Sequence, residues 1–190
     1  MSEQAWAELE GRCQSCYACP LGNTRTNLVF GTGNCSADLL FVGEAPGEQE
    51  DLSGIPFVGR AGQLLNKFLF AADIPRESVY IANILKCRPP HNRDPEPSEQ
   101  DACIGFLREQ LKLIQPKMIV CLGRISAIKL IHPEFRITRD HGKFYKKGNY
   151  LMTAIYHPSA LLRDHTAEKK EQTLADMYRI KEQLDLILKN

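Results

Sequence analysis

Three cysteines recur at every third position near the start of the chain, Cys13, Cys16 and Cys19, giving two overlapping C-x-x-C pairs, and Cys87 and Cys103 stand far downstream. A C-x-x-C pair lets two thiolates reach one metal atom or one face of a cluster, and two distant thiolates can close a four-sulfur site. Zinc takes such a set tetrahedrally, often from two C-x-x-C knuckles. Here fifteen residues separate Cys87 from Cys103, which is not a knuckle. An iron–sulfur cube is larger and tolerates wide, irregular spacing, so spacing leaves zinc and [4Fe–4S] both open. Cys121 lies in an apolar run and reads as core, while Cys35 lies in a loop segment without partners in the pattern.

Three other segments hold groups suited to acid–base and hydrogen-bonding chemistry. Glu44, Glu48, Glu50 and Asp51 crowd the first, Asn83 and Asn92 flank the second, and His157-Pro158-Ser159 forms the third. A carboxylate can orient or activate water. An amide can donate and accept along one edge of a flat ligand, and an imidazole can donate to a developing anion.

Positioning these groups requires a scaffold, and four short apolar runs supply it: Leu39 to Gly43, Val79 to Leu85, Met118 to Leu122 and Tyr150 to Tyr156. Between and after them the apolar spacing predicts helices over Ala61 to Ala72, Ser98 to Ile114, Gly123 to Ile131 and Glu168 to Leu188. Strands alternating with helices imply βαβ units, and nearly all-apolar strands fit a sheet covered on both faces. The expected fold is a three-layer α/β/α sandwich around a mainly parallel four-stranded sheet. Ligands in such folds bind beyond the carboxyl ends of the strands, where the Glu44, Asn83 and His157 segments all fall.

The 190 residues suit one domain, read as 1–190, with the N-terminal cysteine segment and residues 87–103 joined by the four-sulfur site. Seven cysteines behind an acidic, polar N-terminus with no basic or apolar leader pattern argue for a reducing, cytoplasmic setting rather than a disulfide framework. No apolar run approaches the roughly 20 residues of a membrane span. The net charge of +1 gives no global signal for a polyanionic partner. Such a partner would have to meet local clusters, with Lys86, Arg88 and Arg93 in one loop and Arg136, Arg139, Lys143, Lys146 and Lys147 in another stretch.

Four stretches carry a stronger signal: Val42-Gly43-Glu44-Ala45-Pro46-Gly47-Glu48-Gln49-Glu50-Asp51, Gly54-Ile55-Pro56-Phe57-Val58-Gly59-Arg60-Ala61-Gly62, Asn83-Ile84-Leu85-Lys86-Cys87-Arg88-Pro89-Pro90-His91-Asn92-Arg93, and His157-Pro158-Ser159-Ala160-Leu161-Leu162-Arg163. Together with Cys16-x-x-Cys19-Pro20-Leu21 they resemble the family 4 uracil-DNA glycosylases, the iron–sulfur branch of that superfamily. The resemblance runs from about Cys16 to Arg163, in the family's order. It implies removal of uracil from single- or double-stranded DNA by a monomeric, monofunctional enzyme of base excision repair. It also decides the metal question for [4Fe–4S], taken as structural, with Cys16, Cys19, Cys87 and Cys103 as ligands and Cys13 as a spare.

The same resemblance implies a division of labour. Phe57 would stack on the flipped base, Asn83 would read its pairing edge, and Asn92 is a second amide that could assist or shape the loop. His157 would donate to uracil O2 as the base leaves. Glu44 leads and Glu50 follows as the carboxylate that handles water, while Glu48 and Asp51 read as solvent-facing or capping. Backbone amides around Ala45 could help bind the base. Leu161 or Leu162 would wedge into the gap left by uracil, with Ser159 and Arg163 on phosphate. One departure is His141-Gly142-Lys143-Phe144, where the family commonly has Arg-Gly. A branch that captures abasic sites covalently through a His typically has Gln at the place of Ala45, and this chain lacks its long insertion. His141 therefore reads as a phosphate contact or surface residue. The competing readings are a non-catalytic iron–sulfur DNA-binding module of the same fold and an iron–sulfur redox protein.

Overall fold

The computed structural model describes residues 2–164 and 166–189. Its strands are β1 (Thr32–Gly33), β2 (Leu39–Gly43), β3 (Tyr80–Asn83), β4 (Met118–Leu122), β5 (Tyr145–Lys147) and β6 (Tyr150–Ile155), joined in one sheet of order β1-β3-β2-β4-β6-β5. The four expected strands form its parallel centre, with Val42 beside Ala82 and Cys121, and Cys121 beside Ala154. The expectation of four strands is corrected to six. Two short edge strands, β1 and β5, pair antiparallel with β3 and β6. Neither carries an apolar run, since β1 is Thr-Gly and β5 is Tyr-Lys-Lys. Short, lysine-bearing edges are how sheets avoid pairing with other chains.

The helices are α1 (Glu3–Gln14), α2 (Glu48–Ser53), α3 (Arg60–Ala71), α4 (Pro97–Ile114), α5 (Arg124–Leu130), α6 (Ile137–Asp140), α7 (Pro158–Arg163) and α8 (Glu168–Lys189). The four expected from periodicity are α3, α4, α5 and α8. Helix α4 shows why its start is legible: Pro97 takes the first position, Glu96 and Glu99 form a reciprocal capping box, and Gln115 ends the helix in the left-handed region.

Successive strand residues point to opposite faces, which sorts the core into two layers. Phe41, Ile81, Val120 and Ile155 pack with Leu65 and Leu69 of α3, Leu161 of α7 and Met177 and Ile180 of α8. Leu40, Val42, Ala82 and Cys121 pack with Ile104, Leu107 and Leu111 of α4 and Ala127 of α5. The three-layer α/β/α expectation therefore holds. A third apolar cluster joins Leu9 and Cys13 of α1 to Leu28, Phe30, Leu85, Cys87 and Cys103. Among the described residues no helix is long and apolar enough to cross a membrane.

Several cations of the expected basic clusters serve the fold instead. Lys86 is 1% exposed, and its Nζ donates to the Phe30 carbonyl at 3.0 Å and to Gln110 Oε1 at 2.7 Å. Arg93 pairs with buried Glu99 at 2.6 Å, and Arg139 and Lys143 both pair with buried Asp140. His141, read as a phosphate contact or surface residue, is instead tucked in. Its Nδ1 lies 2.6 Å from Oδ2 of Asp176, a fully buried carboxylate of α8 that Arg179 also meets. Desolvated carboxylates need such partners, so Arg93, Arg139, Lys143 and His141 follow the acids, while Lys86 is held by neutral acceptors.

Candidate active site

The parallel strands leave their carboxyl ends on one side of the sheet, and the connections after β2 go first to β3 and then across to β4. Ligands bind at such a reversal. A cavity of about 290 Å³ opens there, lined by Glu44, Ala45 and Gly47 after β2, Asn83 at the end of β3, Asn92, Arg93 and Asp94 beyond it, and His157, Ser159 and Arg163 after β6. Glu50, Phe57 and Ala61 close another wall. Glu44, Glu50, Ala45, Phe57, Asn83, Asn92, His157, Ser159 and Arg163, distant in sequence, thus meet around one cavity.

Asn83 is 1% exposed, and its Oδ1 is a buried acceptor with no donor among the described residues. Buried polar atoms are nearly always paired, so an orphan facing a cavity is a natural ligand acceptor. Phe57 sits beside it at φ 54°, an unusual conformation for a bulky residue. Two glycines make that placement possible. A Cβ on Gly43 would come within 2.3 Å of Asn83 Oδ1 and 2.7 Å of the Phe57 ring, and one on Gly62 within 1.8 Å of the Phe57 carbonyl. Arg76 fixes the Phe57 loop by donating to the carbonyls of Pro56 and Phe57.

His157 begins α7, its ring 5.9 Å from that of Phe57. Its Nδ1 receives the backbone N–H of Ser159 at 3.1 Å, with Ser159 Oγ at 2.7 Å. An amide N–H can only donate, so Nδ1 carries a lone pair and the proton of the neutral ring is on Nε2. Burial, aided by Arg163, pulls the imidazolium pKa down to about 4. At neutral pH His157 is therefore an uncharged ring that donates from Nε2. Ser159, expected on phosphate, is committed to His157.

The two candidate carboxylates differ. Glu50 Oε1 receives the backbone N–H groups of Val58 and Gly59, at 3.0 and 2.9 Å, and so anchors the Phe57 loop and the start of α3. The Glu44 carboxylate accepts no hydrogen bond among the described residues, although its backbone carbonyl receives Leu85 N–H at 3.0 Å. Burial first, and then the charge of Asp94, push its pKa up to about 7, against the opposing pull of Arg124 and Arg163. A carboxyl titrating near neutrality in a cleft is a functional-site signature. Asp51 is buried and caps the turn at Thr26 and Asn27, whereas Glu48 is exposed.

Leu161 is fully buried in the core layer under α7 and is not free to leave the protein, which corrects its place as a wedge. The helical turn that buries it leaves Leu162 half-buried and Arg163 exposed beside the cavity.

The family model of the uracil DNA glycosylase superfamily matches residues 30–179. The chain belongs to that superfamily. It is 47% identical over 176 residues to a type-4 uracil-DNA glycosylase of Archaeoglobus fulgidus, covering 88% of this chain and 87% of the relative. The type-4 uracil-DNA glycosylase of Thermotoga maritima is 44% identical over 172 residues, 90% of each chain. A type-5 uracil-DNA glycosylase of Pyrobaculum aerophilum is 30% identical over 164 residues, 77% of this chain and 72% of the relative. All cavity-lining residues lie within the superfamily match, whereas Cys16 and Cys19 precede it.

Cys13, Cys16 and Cys19, which precede that match, meet Cys87 and Cys103, which lie within it, around a second, smaller cavity. Among the described residues no three of these side chains are placed to hold a single metal ion. Burial raises the thiol pKa of Cys103 to about 11 and that of Cys13 to about 12. Three sulfurs nevertheless face N–H donors: Ala18 N to Cys16 Sγ at 3.5 Å, Arg25 Nη1 to Cys87 Sγ at 3.2 Å, and Lys86 N to Cys103 Sγ at 3.3 Å. Arg25 is one of these donors. It also donates to the carbonyls of Cys16 and Gln14, tying both halves of the site together. Asp94 on the cavity wall carried no signal in the sequence beyond its charge.

Proposed function

We propose that this protein excises uracil from DNA by hydrolysing the N-glycosidic bond and leaves an abasic site, acting as a monomer. The observation that carries this reading is the convergence of an unpaired buried amide oxygen, a neutral donating imidazole and an aromatic ring on one cavity. Uracil stacked in a duplex must be flipped out before its sugar bond is reached. Phe57 offers the extruded base a stacking face. Uracil N3–H supplies the donor that Asn83 Oδ1 lacks, and the Asn83 amide N–H can donate to O4. Cytosine presents an acceptor at N3 and a donor at N4, so it would oppose like with like, a mismatch that buried polar sites reject strongly. As the bond stretches, the sugar becomes cationic and the base anionic. The neutral His157 then donates from Nε2 to O2, needing no prior protonation. Glu44 as a carboxylate offsets the sugar charge and orients water, while Glu50 holds the loop. Backbone amides near Ala45 line the base site. Leu162 fills the vacated stack and Arg163 meets phosphate.

Incubation with an oligonucleotide containing one uracil, followed by alkali, tests the reading. Strand cleavage at the uracil is expected, and an intact strand after treatment with folded protein would refute it. A pH profile adds a sharper test. Because the working form of Glu44 is the carboxylate and its pKa is about 7, activity should fall as pH drops below neutrality, approaching tenfold per unit. Glu44→Gln should be slow at every pH and lose this limb. An unchanged limb would assign the titration elsewhere.

The cysteine cavity fits an iron–sulfur cluster in its donor set: buried thiols, several N–H groups aimed at sulfur, and walls contributed by two distant segments. Cys16, Cys19, Cys87 and Cys103 would hold a [4Fe–4S] cluster, whose contribution when bound is to crosslink the N-terminal segment to the chain after β3. Iron and acid-labile sulfide should both be present. Cys16→Ser should bleach the protein, while Cys13→Ser, though on the same wall, should keep its colour. The opposite pattern would shift the ligand set by one turn of the C-x-x-C repeat.

A further inference from the structure

Arg88 follows Cys87 and reaches back over the loop beyond β3. Its Nε donates to Asn92 Oδ1 at 2.8 Å, and its Nη1 lies 3.8 Å from Glu48 Oε1 on α2. A guanidinium can only donate, so the amide atom that meets it must be oxygen. Asn92 then has its oxygen turned to the guanidinium and both N–H bonds of Nδ2 left to offer. The backbone is shaped for this arrangement, because His91 and Asn92 are consecutive residues in the left-handed region, at φ 55° and 54°. Strained pairs of this kind persist only where the surroundings over-determine them.

Asn92 lines the cavity but is exposed, whereas Asn83 lies 1% exposed at its floor. A base bound against Asn83 leaves its sugar and phosphate at the level of Asn92. We propose that Arg88 is a positioning residue that makes Asn92 a fixed hydrogen-bond donor to a sugar–phosphate oxygen of the extruded nucleotide. This rests on the uracil-excision reading. A free Asn side chain would present either end, and Arg88 removes that choice. Through Glu48 the same guanidinium ties the loop to α2, so the donor is held from two sides.

The test uses the full protein and a duplex with a tetrahydrofuran abasic site, which keeps the backbone but has no base and requires no excision. Wild-type cleavage of uracil DNA, assayed separately, reports on the underlying reading. Asn92→Ala and Arg88→Met should each weaken binding about tenfold, the scale of one hydrogen bond to a charged oxygen. The double variant should be no weaker than either, because both remove one interaction. On uracil DNA the loss should appear mainly in KM rather than kcat, and Arg88→Lys should recover part of it. Asn92→Asp keeps the acceptor for Arg88 but removes the donor, so it should bind at least as poorly as Asn92→Ala. A double variant weaker by about a hundredfold would show that Arg88 acts on its own. A fall of about 0.9 in salt slope for Arg88→Met would show a direct phosphate contact by Arg88. Either result overturns the proposal, as does tight binding by Asn92→Asp. Iron content is measured for each variant, and if Arg88→Met loses iron, Asn92→Asp decides the matter alone. If the Asn92 variants are impaired only on uracil DNA and not on the abasic duplex, the acceptor is on the base and the proposal fails.

Discussion

Asn83→Ala is expected to lower uracil excision by roughly 10²–10³-fold, the loss of a paired donor and acceptor at the reacting base, without lowering the melting temperature. The two halves of this result come from one atom. Asn83 Oδ1 is buried without a donor among the described residues, and an unsatisfied buried acceptor costs about 1–3 kcal/mol in the free protein. Removing it relieves that cost and offsets the packing lost beside an open cavity. The same atom is the partner of uracil N3–H, so its loss falls on the substrate complex. Binding to undamaged DNA at low salt should persist, because it depends on phosphate contacts. A variant that is inactive and also melts early would mean that Asn83 is structural, and one that stays active would remove it from base recognition.

His157→Ala should cost a comparable 10²–10³-fold, the value of one preorganised donor to a developing anion. The loss should appear in single-turnover rates more than in affinity, because the charge on O2 grows only as the bond breaks. The sign of its pH dependence is fixed by the lowered pKa. The neutral ring is the working form, and protonation sets in only as pH falls towards about 4. His157 should therefore contribute no limb between pH 6 and 9, and Glu44→Gln, with the other titration removed, should show a flat profile there. A limb near pH 6.5 in Glu44→Gln that vanishes in the His157→Ala double variant would show an imidazolium at work instead. Ser159→Ala should be far milder, since the backbone N–H of Ser159 still holds Nδ1.

Much of this is legible in the amino-acid sequence. The four central strands and four principal helices announce themselves because burial on both faces, or on one stripe, forces apolar runs of fixed period. Asn83, His157 and Glu44 could be placed at strand ends because parallel sheets put their loops on one side. The short elements were not legible. A two-residue β1 and a Tyr-Lys-Lys β5 form because a neighbouring strand offers unpaired backbone groups, not because of their own side chains. Helix α7 likewise gave no periodic signal in six residues, and so Leu161 could not be told from Leu162 until the helical turn put the first in the core and left the second half-buried.

The cavity's chemistry divides in the same way. Which residue types stand at the strand ends, and that two cysteine pairs far apart could share one site, follows from residue order and spacing alone. Their protonation and hydrogen-bonding states come from the folded surroundings. Glu44 and Glu50 are equivalent as letters, but backbone amides occupy Glu50 while burial lifts Glu44 towards neutrality. His157 is neutral, with its proton on Nε2, because Ser159 N–H occupies Nδ1. Asn83 has an orphan oxygen because, among the described residues, the folded walls around it offer no donor. Protonation and hydrogen-bond vacancy depend on neighbours brought from distant parts of the chain, so they cannot be read from any one segment.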